Sequence, residues 1–297
     1  MSEPTNGPVV SVCIPLYKKE RFVARTVQSV LEQTFTDFEL VVLHNASPDR
    51  SAEIVESFDD PRIRIFHNAE TIPGPDNAKK VASLATAPLM KIVAADDMLH
   101  PTLLERQVAV LADPGVAVVS CRQNMIDEND RVMYPDRSLR STDLVGRQDR
   151  TTVVRRVVRH TGNPVGAFCN LMFRRTDLDA IGGFPDAPWV AHDLALALGL
   201  LSRGDFVGLP ETLVDFRIAS GSSSADDGEE GLAEQVAYIE GLRRKNAPIL
   251  RWSDALYSSL RLPLMRARHR MIVAAAGPKT DLRTRAAQRV LGLSRAA

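Results

Sequence analysis

The sequence predicts an α/β protein built on a doubly wound, mostly parallel, Rossmann-like sheet with a C-terminal helical extension. Three observations carry this expectation. Short apolar runs recur through the first 120 or so residues, and segments with apolar side chains at helical spacing separate them. Two of the runs end in residues with chemistry to offer, Pro15-Leu16-Tyr17 after one and Asp96-Asp97 after the other. A parallel sheet presents its functional groups at the carboxyl ends of its strands, so an aromatic-bearing turn and paired carboxylates placed there point to a nucleotide and a metal ion.

The first run, residues 9–14, ends at Pro15, which cannot donate to a strand ladder. Phe22, Val23, Thr26, Val27, Val30 and Leu31 then repeat at helical spacing, and residues 38–43 form a buried strand. Ser47-Pro48 reads as a helix cap with proline in the first turn, opening a helix to about Phe58. Residues 62–66 make the third strand, a helix spans roughly 76–85, and residues 89–95 make the fourth strand. Thr102 with Glu105 reads as a capping box for the next helix, and residues 116–120 as a fifth strand. Polar stretches at 124–130 and 136–150 read as loops, Gly182-Gly183-Phe184-Pro185 as a turn, 193–201 as an apolar helix, and the Ser- and Gly-rich stretch 219–231 as a flexible connector.

Composition narrows the function. The 297 residues hold 37 basic and 37 acidic side chains and are 44% hydrophobic, which fits a globular core and gives no footing for wholesale nucleic-acid binding. Cys13, Cys121 and Cys169 are too widely spaced for a zinc knuckle or a disulfide framework and read as buried thiols. No secretory leader and no apolar run of about 18 residues is readable, so a cytoplasmic protein is expected. The balance hides a basic tail: residues 261–297 carry nine arginines and lysines against Asp281 alone, interleaved with apolar side chains. Two readings of the tail stand, a solvated helical pair on the main domain and peripheral attachment to the inner face of an anionic membrane.

Several segments then fall in register with one family. Ile14-Pro-Leu-Tyr17, Ser29-Val-Leu-Glu-Gln-Thr34, Phe38-Glu-Leu40, Asp96-Asp97 with Pro101, Phe173-Arg-Arg175, Ile181-Gly-Gly-Phe184 and His192-Asp193-Leu194 resemble the ordered motifs of glycosyltransferase family 2. The resemblance spans residues 9–223, about three quarters of the chain. It implies the GT-A fold and transfer of a sugar from a nucleotide diphosphate, uridine or deoxythymidine linked, to an acceptor hydroxyl with inversion. It also implies a nucleotide-sugar-binding half over 1–121 and an acceptor-binding and catalytic half over 122–218; the composition of the tail adds a basic helical extension over 232–297.

Onto its positions the resemblance carries Pro15, Leu16, Tyr17, Asn45, Asn77 and Asp96 as donor contacts, and Asp96 and Asp97 as ligands of Mg2+ or Mn2+. It carries Gly183 and His192 to the acceptor side and makes Asp193 the general base. The chemistry agrees at each point. A tyrosine ring can lie on a base, an asparagine can match uracil's N–H and carbonyl, and a carboxylate at a helix start can take the proton an attacking hydroxyl sheds. A lipid-linked, polysaccharide or natural-product acceptor is implied.

The chain departs from the family where Ala94 replaces an acid, Ala219 a metal-binding histidine, His44 an acid and Lys79 an asparagine. These departures motivate an alternative, a sugar-nucleotide-binding or scaffold protein that has lost catalysis. A nucleotidyltransferase would carry a glycine-rich phosphate loop after its first strand, and residues 15–19 contain no glycine.

Overall fold

The computed structural model describes residues 7–139, 144–218, 228–261 and 263. Val10–Leu16 (β1), Phe38–His44 (β2), Ile63–His67 (β3) and Leu89–Ile92 (β4) lie side by side and parallel, joined through Val23–Leu31 (α1), Ser51–Glu56 (α2) and Gly74–Ser83 (α3). Pairing of β1 with β2 is continuous from Val10 opposite Phe38 to Leu16 opposite His44, so Tyr17 and Asn45 leave the sheet at the same level.

Beyond β4 the sheet is mixed. Met98–Leu99 (β5), Leu103–Leu111 (α4), Val116–Ile126 (β6), Val132–Arg137 (β7), Gly146–Gln148 (β8) and Arg150–His160 (α5) lead to Met172–Arg174 (β9), Arg175–Ala180 (α6), His192–Leu200 (α7) and Asp205–Arg217 (β10). Among the described residues the sheet has ten strands, ordered β3-β2-β1-β4-β9-β6-β10-β5, with β7 on β6 and β8 on β10. Both halves of the chain therefore share one sheet. β9 lies antiparallel between β4 and β6, while β10 runs parallel to β6.

Helices cover both faces. Val10, Val12, Ile14 and Leu16 of β1 point to the face packed by α1 and α4, and Cys13 points to the face packed by α3, α5 and α7. The period-two alternation of a strand buried on both sides makes this run continuously apolar.

Several local expectations change. The polar stretch from Asn124 is not a loop at its start, because β6 continues to Ile126 and turns into a hairpin with β7, pairing Met125 with Tyr134. Thr102 does not cap α4. The first turn is instead met by Gln33 at the end of α1, whose Oε1 accepts the Leu104 N–H at 3.0 Å, and Glu105 accepts from the Thr34 hydroxyl at 2.8 Å. Ser47 does not cap α2, which begins at Ser51; its hydroxyl donates to Asp49 and accepts the Lys18 N–H at 2.8 Å. Of the expected connector, residues 219–227 lie outside the described residues, and residues 228–231 already belong to a helix, Gly228–Lys245 (α8). A last described helix covers 252–261. Its Asp254 is 1% exposed and takes Arg155 of α5 at 2.8 Å, which docks the extension on the main domain.

Candidate functional site

The loop after β1 is held to the loop after β2 by backbone donors. Lys18 N–H reaches Ser47, Lys19 N–H reaches Ser51 Oγ at 2.9 Å, and Glu20 N–H reaches Asp49 Oδ2 at 3.1 Å. Tyr17 stands at the start of this loop, 37% exposed, with the Lys18 ammonium over its ring. A ring free on one face can receive a base. Pro15 is partly buried at the strand end, whereas the Leu16 side chain is wholly inside the core and offers only its backbone, whose carbonyl accepts the Asn45 N–H.

Asn45 and Asn77 are placed differently from base-reading side chains. Asn45 is 2% exposed; its Oδ1 accepts from Asn68 at 2.8 Å and from the Ile72 N–H at 3.0 Å, and its Nδ2 donates to the Ile72 carbonyl. Asn77 Oδ1 accepts a second bond from Asn68, and Lys80 caps Asn68 Oδ1 at 2.7 Å. The three asparagines form one satisfied network that ties the ends of β2 and β3 to α3. Their hydrogen-bonding groups engage one another and the Ile72 backbone.

After β4 the chain bends so that two neighbouring carboxylates diverge. Asp96 Oδ2 receives the Lys19 ammonium at 2.6 Å, with both side chains largely buried. Asp97 is 1% exposed and turns inward, where its Oδ1 accepts the Arg217 N–H at 2.9 Å. Burial, reinforced by the charge of Asp96, pushes the Asp97 carboxyl up to about 7. Arg217, at the end of β10, donates from Nε to the Asp96 carbonyl and from Nη1 to the Asp127 carbonyl, and stacks over Phe22. It moors the segment that carries both aspartates.

A divalent ion needs several hard oxygen ligands. At position 94 the chain offers only a methyl group, Asp97 is engaged inward, and Asp96 is covered by an ammonium. Among the described residues no group of three His, Cys, Asp or Glu side chains could hold a metal ion. The donor set present does not fit the Mg2+ or Mn2+ expected from the sequence.

Asp193 lies in the first turn of α7, its Oδ1 accepting the Leu194 N–H at 2.7 Å. Burial raises its carboxyl to about 7, against the opposing pull of backbone N–H groups and the Asn163 amide. His192 beside it is 5% exposed, packs edge-on to Trp189, and is held below the usual imidazole range by burial and by the charge of Lys79. Gly183, at φ 90°, continues the left-handed turn that ends α6.

Two residues here have no counterpart in the sequence reading. Burial and the charge of Asp193 hold the Tyr238 phenol of α8 above its usual range, so the C-terminal extension reaches the surroundings of Asp193. Lys19 is the second; a basic residue directly after a strand-end turn, in a chain with alanines at 94 and 219, was the available signal.

The comparisons bear on this arrangement. The family model described as glycosyl transferase family 2 matches residues 11–182, more than half of the chain. An uncharacterized Mycobacterium tuberculosis protein, MT1568, is 30% identical over 213 residues, covering 69% of this chain and 66% of that protein. Further curated relatives match over shorter stretches; EpsJ of Bacillus subtilis, 30% identical over 117 residues, is covered over 33% of its length. The chain thus spans from a third to just under two thirds of these relatives. Among solved structures, the mannosyltransferase PcManGT from Pyrobaculum calidifontis, in complex with GDP-Man and Mn2+, superposes with a TM-score of 0.61 at 20% identity, over 98% of this chain and 82% of that one. S. aureus TarS 1-349 in complex with UDP-GlcNAc superposes with a TM-score of 0.59 at 18% identity, over 96% and 83%. At these identities the superpositions establish the shared fold.

Proposed function

The chain belongs to glycosyltransferase family 2, and from that membership we propose that it moves a sugar from a uridine or deoxythymidine diphosphate to an acceptor hydroxyl by direct displacement with inversion. The acceptor oxygen attacks the anomeric carbon, the bond from that carbon to the diphosphate oxygen breaks with its electron pair leaving on the diphosphate, and Asp193 takes the hydroxyl proton. The observation that carries this reading is the Asp193 carboxyl, raised to about 7 at the mouth of α7. A base with that pKa is half ionised near neutral pH and accepts a proton without a large energetic penalty.

On the donor side Tyr17 stacks the base and the loop after β1 faces the phosphates. TarS, solved with UDP-GlcNAc, supports a uridine donor, and PcManGT, solved with GDP-Man, keeps guanosine in the test panel. Gly183 and His192 line the acceptor side, where Trp189 and Phe184 offer apolar faces to a sugar ring. The alternative of a silent sugar-nucleotide-binding protein rests on Ala94 and Ala219.

The acceptor reading, a lipid-linked hydroxyl at an anionic membrane, draws on the basic tail, which lies outside the described residues apart from Arg261 and Pro263. It gains support from the last described helix, whose Trp252 (80% exposed), Leu256 and Leu260 recur every four residues toward solvent. No described helix is long and apolar enough to cross a membrane. A thermal-shift panel of UDP, dTDP, GDP and ADP tests the donor assignment, since a ligand that binds only the native state raises its stability. Stabilisation by UDP or dTDP above the purine diphosphates is expected; stabilisation by GDP alone would overturn the pyrimidine assignment.

A further inference from the structure

We propose that Lys19 is the cation of the donor site, its ammonium standing beside the diphosphate where other members of the fold hold a divalent ion, so that this chain grips its nucleotide diphosphate without metal. The inference rests on the donor reading above and sharpens it.

The geometry is that of a built site. Lys19 Nζ lies 2.6 Å from Asp96 Oδ2, with side chains 16% and 7% exposed. Its backbone is fixed from both sides: the N–H donates to Ser51 Oγ at 2.9 Å, and the carbonyl accepts the Phe22 and Val23 N–H groups at 2.9 Å each as α1 begins. The stem is therefore aimed at the end of β4 by the loop that carries Tyr17. An ammonium has three N–H donors. Among the described residues Asp96 is its one hydrogen-bond partner, which leaves two donors for phosphate oxygens.

Charge explains why a lysine can serve here. A divalent ion on Asp96 would leave one net positive charge, whereas the Lys19–Asp96 pair is neutral, so the surroundings must contribute less negative charge than a metal site tolerates. They do: Asp97 turns inward, its Oδ1 taken by the Arg217 N–H, and the Arg217 guanidinium sits directly behind on the Asp96 carbonyl. The same two features would oppose a metal ion, by withholding a second anionic ligand and placing a fixed positive charge beside it. The alanine at 94 removes another ligand, and the loss of carboxylate ligands and the gain of an internal cation fit each other.

The test is isothermal titration of the full-length protein with UDP and with uridine, in EDTA and in Mn2+. The unmodified protein should bind UDP in EDTA within about threefold of its affinity in Mn2+. Lys19→Gln should weaken UDP about tenfold or more in EDTA, the scale for losing hydrogen bonds from a charged group, while uridine affinity stays the same. Lys19→Arg should recover most of the loss, which a purely structural role for Lys19 would not require. UDP binding by the unmodified protein only when Mn2+ is present, or equal UDP affinity in EDTA for Lys19→Gln, would overturn the proposal and leave the donor reading intact. If UDP, dTDP and GDP all fail to bind with and without Mn2+, the donor reading fails and Lys19 loses its role with it.

Discussion

Asp193 and Asp97 share a property that reaches beyond the site. Each carboxyl titrates near 7 in the folded protein against about 3.9 in an unfolded chain. A group whose folded pKa lies above its unfolded value contributes stability that is fully present below the lower value and is lost as pH rises through the higher one. The protein should therefore lose stability between about pH 4 and pH 7 through these two groups, and Asp193→Asn should gain thermal stability relative to the unmodified protein as pH goes from 5 to 8. Melting curves at several pH values check this; a constant offset between the two proteins across that range would remove the buried-carboxylate account. The asparagines show what residue type and spacing cannot convey. Position in the sequence puts Asn45 at a strand end, but the direction of its amide is decided by Asn68 and Ile72, which are remote in sequence. Asn45→Ala leaves their groups buried without partners and should cost about 1–3 kcal/mol in chemical denaturation. Base selectivity should stay as it was; a change in nucleotide preference with no loss of stability would restore Asn45 as a base reader.

At the level of elements, the legible parts are those with a pattern. β1, β2 and β3 announce themselves as short apolar runs and α1 through three- and four-residue spacing, while β5 and β9, at two and three residues, are too short to show any. β7 lies at a sheet margin with none of its residues buried, and Pro135 interrupts it, so it leaves no strand signal between the polar stretches on either side. The stretch Ser29 to Thr34 resolves into mechanics: Ser29 Oγ accepts the Leu99 N–H, and Gln33 bridges the His100 carbonyl and the Leu104 N–H, so the end of α1 fixes the segment that follows Asp96-Asp97. β10 fixes the same segment from the other side through Arg217. Arg217→Ala strips the side-chain donor from two carbonyls, those of Asp96 and Asp127, and should destabilise the protein by about 3 kcal/mol, with a parallel loss of UDP affinity. Denaturation and titration of the same variant check both, and intact UDP binding in a destabilised variant would separate Arg217 from the site.

Over the whole molecule, the order of elements sufficed to predict a two-faced α/β sheet, since each apolar run must be buried between helices. What it left out was long-range: the antiparallel insertion of β9, the docking of α8 beside Asp193, and the Lys19 pair, each of which depends on residues brought together by the fold rather than by sequence spacing. The exposed face of the last helix makes a prediction at this scale. Flotation with vesicles containing acidic lipid should carry the full-length protein at low salt and release it at high salt, and Trp252→Ala with Leu256→Ser and Leu260→Ser should weaken it; failure of the unmodified protein to float at low salt would retire the membrane contact. The central claim, that the chain is a transferase whose base is Asp193, is tested most directly by release of nucleoside diphosphate from a panel of UDP- and dTDP-sugars in the presence of a panel of sugar and lipid-linked acceptors, followed from pH 5 to 9 for the unmodified protein and Asp193→Asn at saturating donor. The account predicts release that rises to a plateau above about pH 7, and for the variant an unchanged donor affinity with release slower by about 100-fold or more. Equal release by the variant, or tight UDP binding with no release from any sugar nucleotide by the unmodified protein, would contradict it.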